Sequence, residues 1–354
     1  MDGIFSAAGG QDGGAGALSG GGQRASGAGR PDGRALGSSG SGKPHDVKGF
    51  DAEVAAGGYR WWYLDGLSDD GRHGLTIIGF VGSVFSPYYA RALRKGAANP
   101  LDHCAINVVL YGRGGHHWAM TERTGADLSR DEHHFTLGPS SLTWDGTTLT
   151  IRIEERTSPH RLRIAGTIRL TPKLLAGQVF DLDAEGRHTW RPIAAEARAE
   201  VAFDQPGQRW SGHGYMDSNQ GERPLKDDFI AWDWARGTTP SGPVIHYDVS
   251  RRDGTALNLS LSLGADGTLA PIAAPPIAAL PRTPWRMRRA TRCDAGVRPR
   301  VLATLEDTPF YARSLVTTRL DGAPVTLMHE SVNLDRLQVP WIEWLMPFRM
   351  PRRL

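Results

Sequence analysis

The run Trp210–Gly221 (WSGHGYMDSNQG) places an imidazole, a phenol, a carboxyl and an amide at every second position. If the run is a strand, His213, Tyr215, Asp217 and Asn219 share one face, and Gly212, Gly214, Met216 and Ser218 share the other. Titratable groups in a row opposite glycines are unusual for a purely structural strand and reasonable for one that lines a pocket. The alternative is a solvent-facing row beside a turn. The chemistry open to such a row is proton transfer, since a carboxyl group buried among apolar side chains keeps its proton near neutral pH.

Other segments carry matching faces. Tyr59, Trp61, Tyr63 and Asp65 alternate along one stretch, Ile230, Trp232 and Trp234 along a second, and His188 and Trp190 along a third. Any one of these faces alone reads as ordinary core. Together they predict an aromatic cavity holding isolated polar groups. Asp217 is the first candidate for the acid and Asp65 the second. Asp233 is third, because it should face away from the Trp pair. The histidine pairs His116–His117 and His133–His134 point to opposite faces of any strand, so no metal site is expected. Asp181–Gly186 imitates the start of a calcium loop, but Pro192 stands where that loop needs a bidentate Glu. The folded part of the sequence has neither a Gly-x-Ser-x-Gly elbow nor a phosphate-binding P-loop.

The elements that must position these groups read as strands. Leu75–Phe80 and Ile106–Leu110 are apolar and β-branched, while Leu149–Ile153 and Leu162–Leu170 alternate roughly with period two. Asp70-Gly71, Asp145-Gly146, Asp253-Gly254, Asp266-Gly267 and Asp321-Gly322 are tight-turn pairs. The pattern predicts a mainly β chain built as two antiparallel barrel or sandwich modules. One module is expected over 46–206 and the other over 207–354, with the boundary at Asp204–Gly207. Pro271–Pro284 reads as an extended connection. Residues 1–45 are Gly, Ser and Ala with scattered charges, too poor in apolar surface to offset ordering entropy, and are expected to be a disordered tail.

Composition narrows the function. A net charge of +3 over 354 residues gives no nucleic-acid footprint. The two cysteines, Cys104 and Cys293, lie far apart and suit a reducing compartment. No stretch reaches the ~20 apolar residues of a spanning helix. The C-terminal run Val339–Leu354 mixes Trp, Phe, Met and Leu with Arg349, Arg352 and Arg353. That mixture suits the headgroup layer of an anionic membrane, or equally a last segment packed on the fold with a basic end.

Five segments resemble the carotenoid 1,2-hydratases, also called hydroxyneurosporene synthases: Trp61–Asp65, Gly82–Tyr89, Gly212–Gly221, Trp232–Arg236 and Pro347–Arg352. The resemblance runs from about Gly57 to the C-terminus. It implies two lipocalin-like β modules, and hydration of the terminal C1–C2 double bond of neurosporene, lycopene or related linear carotenes. It also implies a functional Asp in a Tyr-x-Asp motif, here Asp217, supported by Tyr215, His188 and Trp190. Such a reaction is redox-neutral, so no cofactor is expected. Asp217 would protonate C2, and Trp190, Tyr215, Trp232 and Trp234 would face the cation at C1. His188 or His213 would position the water, and Trp61, Tyr63, Asp65 and Asn219 would complete the pocket. An insoluble substrate implies peripheral attachment at the cytoplasmic face of the inner or photosynthetic membrane. Two other readings stay open: a lipocalin-like carrier that leaves carotenoid unaltered, and an isoprenoid or polyketide cyclase on the same scaffold.

Overall fold

The computed structural model describes residues 49–96, 98–112 and 115–353. The stretch expected to be a disordered tail lies outside the described residues. Among those described, antiparallel strands dominate. The first sheet holds β1 (Tyr59–Ser68), β2 (Gly74–Val81), β3 (Cys104–Tyr111), β4 (His117–Arg123), β5 (Leu128–Arg130), β6 (His134–Leu137), β7 (Ser140–Trp144), β8 (Leu149–Arg156), β9 (Arg163–Pro172), β10 (Phe180–Asp181), β11 (His188–Gln205) and β12 (Gln208–Gly221). The second holds β13 (Phe229–Thr239), β14 (Gly242–Arg251), β15 (Ala256–Leu263), β16 (Leu269–Pro271), β19 (Arg300–Asp307), β20 (Tyr311–Leu320) and β21 (Ala323–Asn333). A two-stranded ribbon, β17 (Ile277–Leu280) with β18 (Arg289–Arg292), lies between β16 and β19 in sequence. Three helices follow the strand ends: α1 (Pro87–Arg94), α2 (Leu334–Leu337) and α3 (Pro340–Arg349).

The mainly β class read from the alternation is the observed one, lipocalin-like as the resemblance implies, and the first sheet curls into a nearly closed barrel. The Asp-Gly pairs lie at turns, and all five of their glycines have positive φ, between 67° and 98°. Two expectations fail. Asp204–Gly207 is not a module boundary: it is the hairpin turn joining β11 to β12, where Phe203 pairs with Gln208. The sheets change instead between Gly221 and Phe229. A Pro-Gly turn between two amphipathic strands gives the same sequence signal whether the strands share a sheet or not. Pro271–Pro284 is also not simply a connection, because it contributes β17 to the ribbon.

β1 shows how the two sheets divide the chain's apolar residues. Trp62 and Leu64 point into the barrel, where they join Leu75, Ile77, Phe135 and Met216. Trp61 and Tyr63 point the other way, into a second core shared with Trp190, Tyr215, Trp232, Trp234 and Tyr247. β1 is thus buried on both faces, which is why bulky apolar side chains occupy the successive positions Trp61 to Leu64. β12 divides in the same way: Met216 faces the barrel and Tyr215 faces the second sheet. Gly214 also faces the barrel, where a Cβ would come within 2.3 Å of Leu170 Cδ1.

Candidate active site

The alternation along β12 delivers Tyr215, Asp217 and Asn219 to one buried face. On β1, Trp61, Tyr63 and Asp65 stand opposite Asn219, Asp217 and Tyr215 in register. On the other side of β12, Trp190 pairs with Asn219 and Pro192 with Asp217. Three adjacent strands of the first sheet therefore present one polar-aromatic surface. β13, β14 and β21 of the second sheet cover it with Trp232, Trp234, Tyr247 and Glu330. Between the sheets lies a cavity of about 30 Å³ lined by these four residues together with Trp61, Tyr63, Trp190, Asp217 and Asn219.

Asp217 is 5% exposed, and its two oxygens differ. Oδ2 accepts hydrogen bonds from Trp190 Nε1 and from the Tyr215 hydroxyl, both at 2.9 Å. Oδ1 is buried and has no partner among the described residues. Burial pushes the carboxyl up to about 8, against the two hydrogen bonds that favour its anion, with the nearby charges of Glu330 and Asp65 adding to the rise. Because Oδ2 already accepts two donors, the proton belongs on Oδ1. Trp234 Nε1, on the cavity wall, is likewise unpartnered.

The rings around this acid pack tilted or edge to face. Tyr215 and Trp234 lie 5.2 Å apart, Tyr63 and Trp234 5.7 Å, and Trp190 and Tyr247 5.2 Å. A cation formed among them would meet several π faces, each worth roughly 0.5–2 kcal/mol.

Two buried guanidinium groups flank the site, and each is neutralised. Arg236 on β13 grips Asp65 on β1 through Nε, at 3.0 and 3.1 Å, and through Nη2. Arg313 on β20 donates to Glu330 Oε2 at 2.7 Å and also to the Tyr63 hydroxyl. Both clasps link the first sheet to the second. Asp65, the second candidate acid, is thus an ion-pair partner and not a proton donor. Asp233 faces away, as expected: its Oδ1 accepts from Ala290 N at 3.2 Å and from the Ser331 hydroxyl.

The histidines depart from expectation. His213 lies on the predicted face of β12 but where the second sheet no longer covers it. Its side chain is 67% exposed beside Asp69, and it is no part of the cavity. His188 is fully buried, with both ring nitrogens engaged: Nδ1 with the Tyr59 hydroxyl at 2.9 Å and Nε2 with Asp228 at 2.8 Å. Burial lowers its proton affinity. It braces Tyr59, which stacks on Trp61 at 5.0 Å, and does not reach the cavity itself. Gly221 makes this brace possible, since a Cβ there would lie 2.4 Å from both His188 Nδ1 and Tyr59.

Sequence reasoning missed Glu330, Arg313 and Tyr247. In β21, Met328 and Val332 belong to the inter-sheet core, and Glu330 stands between them on the same face. A lone carboxyl on an apolar strand face was the available signal.

A family model described as carotenoid hydratase CrtC matches residues 77–354. The chain belongs to this family. It is 52% identical over 353 residues to an acyclic carotenoid 1,2-hydratase of Thiocapsa roseopersicina, covering 99% of this chain and 87% of that one. It is 48% identical to the Rubrivivax gelatinosus protein of the same description, over 86% of this chain and 76% of that one. Among solved structures, a putative AttH from Nitrosomonas europaea aligns with a TM-score of 0.56 at 15% identity, over 84% of this chain and 99% of that one, a likeness of fold. The carotenoid hydratase family thus carries this two-sheet architecture. Among the described residues of this member no His, Cys, Asp and Glu cluster forms a metal site.

Arg236, held by Asp65, also lies over the Tyr215 ring, 5.2 Å away, and so stands one ring from Asp217. Asp65→Asn should therefore cost about 3–5 kcal/mol in denaturant unfolding, by leaving a buried guanidinium uncompensated. In the folded variant the unpaired guanidinium should lower the pH above which Asp217 loses its proton. An unmoved transition would show the clasp to be electrically irrelevant to the acid.

Proposed function

We propose that this chain is a hydro-lyase that adds water across the terminal C1–C2 double bond of an acyclic carotenoid. The observation that carries the reading is Asp217 Oδ1, a buried, unpartnered carboxyl oxygen at an aromatic cavity, on an acid held protonated to about pH 8. Family membership supplies the substrate class. Oδ1–H delivers its proton to C2, leaving a tertiary cation at C1. Trp190, Trp232, Trp234 and Tyr63 face that cation, and Trp190 Nε1 with the Tyr215 hydroxyl stabilises the new carboxylate on Oδ2. Water adds to C1, and the proton it releases restores Asp217. At about 30 Å³ the cavity holds about one water, less than an isoprene end requires, so the ring walls must part to admit substrate.

Supply from a membrane is supported by α3 and what lies beneath it. Trp341, Trp344, Leu345 and Phe348 are exposed on α3, and exposed Trp285 stacks on Trp341. Under the helix is a cavity of about 260 Å³, lined by apolar groups including Val84, Phe85, Leu225, Leu337 and Met346. Tyr59 forms part of its wall and stacks on Trp61 of the inner cavity, so the two cavities are one ring pair apart. Among the described residues no helix is long and apolar enough to cross a bilayer. On this reading α3 seats the protein peripherally on a membrane surface.

Activity should hold below about pH 8, where Asp217 carries its proton, and fall above it by about tenfold per pH unit. Asp217→Asn should lower hydroxylated product by about 10²–10⁴-fold in a lycopene- or neurosporene-producing host. Heavy-oxygen water should label the wild-type product. An unlabelled cyclic product would favour the cyclase reading, and bound but unaltered carotenoid the carrier. Trp344→Ser with Phe348→Ser should reduce sedimentation with anionic vesicles. These substitutions avoid removing Met350, which is buried, and Pro351, whose carbonyl accepts from Glu122 N. Unchanged sedimentation would remove the membrane proposal.

A further inference from the structure

Protonation is half of hydration. The water that adds to C1 must also lose a proton, and neither histidine is placed to take it: His213 is solvent-exposed and His188 has both ring nitrogens occupied. Besides Asp217, one carboxyl lines the inner cavity, and it comes from the opposite sheet. This is Glu330 on β21.

Its two oxygens are as unlike as those of Asp217. Oε2 is saturated by Arg313 Nη2 at 2.7 Å and the Tyr311 hydroxyl at 2.9 Å. Oε1 accepts only one long bond, from Trp232 Nε1 at 3.3 Å. A carboxylate oxygen has lone pairs to spare after one such bond, so Oε1 can hold a water as well. Arg313 stands against one oxygen of Glu330, whereas Asp217 meets only the neutral donors of Trp190 and Tyr215 and is held up by burial. Two carboxyls in unlike surroundings are the recurring layout of a general acid paired with a general base.

We propose that Glu330 is the catalytic base of the hydration, seating the water on Oε1 and taking its proton as the water oxygen bonds to C1. This rests on the hydration reading above. The ledger balances: Asp217 loses one proton to C2, a water lone pair forms the C1–O bond, and Glu330 gains one proton from that water. Glu330 then returns the proton to Asp217 through water in the cavity that both line, and no net charge accumulates. A protonated tertiary alcohol is strongly acidic, so a base as weak as a carboxylate suffices to deprotonate it. Before water adds, the same negative charge faces the cation and stabilises it.

The test runs wild type, Glu330→Gln, Glu330→Asp and Asp217→Asn on a linear carotene in deuterated, heavy-oxygen water. Thermal unfolding checks that each is folded. Glu330→Asp retains the charge opposite Arg313 should Glu330→Gln prove unstable. In both Glu330 variants, labelled hydroxyl product should fall about 100-fold or more. Asp217 should still deuterate C2, and the uncaptured cation should lose a methyl proton back to Asp217, so recovered carotene carries deuterium. Asp217→Asn should give neither label. Near-wild-type hydration in a folded Glu330 variant would overturn the proposal. So would loss of deuterium together with hydroxyl in both folded Glu330 variants, because Glu330 would then serve protonation. If wild type itself makes no labelled hydroxyl, the hydration reading fails first, and this inference with it.

Discussion

A carboxylic acid can protonate an alkene near neutral pH only where burial outweighs whatever rewards its ionisation. Asp217 meets that condition although two guanidinium groups flank its site. Arg236 is tied to Asp65 and Arg313 to Glu330, so the cations that would otherwise lower the acid's proton affinity are already neutralised. The Asp65–Arg236 pair joins the sheets, and Arg313 does so through the Tyr63 hydroxyl. The electrostatics of the acid and the assembly of the cavity are therefore one problem with one solution. Buried ion pairs of this kind add little to net stability. Here they set the charge that Asp217 feels.

The site belongs to neither sheet alone. β1, β11 and β12 supply the acid, its two hydrogen-bond donors and half of the rings, while β13, β14 and β21 supply the other rings and Glu330. Strands of the first sheet can do this because they are buried on both faces, with one set of residues filling the barrel and the alternate set facing the second sheet. The wall that stabilises charge is thus held rigid from behind by an independent core.

Much of this was legible in the sequence because strand periodicity is local. The alternation in Trp210–Gly221 placed Tyr215, Asp217 and Asn219 on one face, and that in β13 turned Asp233 away from the Trp pair. The Asp-Gly pairs marked turns because their glycines need positive φ. What stayed hidden depends on pairing between distant segments. His213 obeys the alternation yet emerges into solvent, since no local signal says how far the second sheet reaches. Asp204–Gly207 looked like a boundary because a hairpin turn and a linker share residue types. Asp65 looked like an acid because its partner is 171 residues away. Glu330 acquires meaning only when β21 is laid across β12.

Whether Asp217 is neutral in the folded protein can be read directly as the carboxylic C=O stretch, by infrared difference spectroscopy of wild type against Asp217→Asn through a pH titration. The account predicts a protonated-carboxyl band, absent from the variant, that persists from acid pH and disappears near pH 8. A band lost near pH 4, the ordinary range of an aspartate, would mean that the acid is spent before neutrality and would contradict the account.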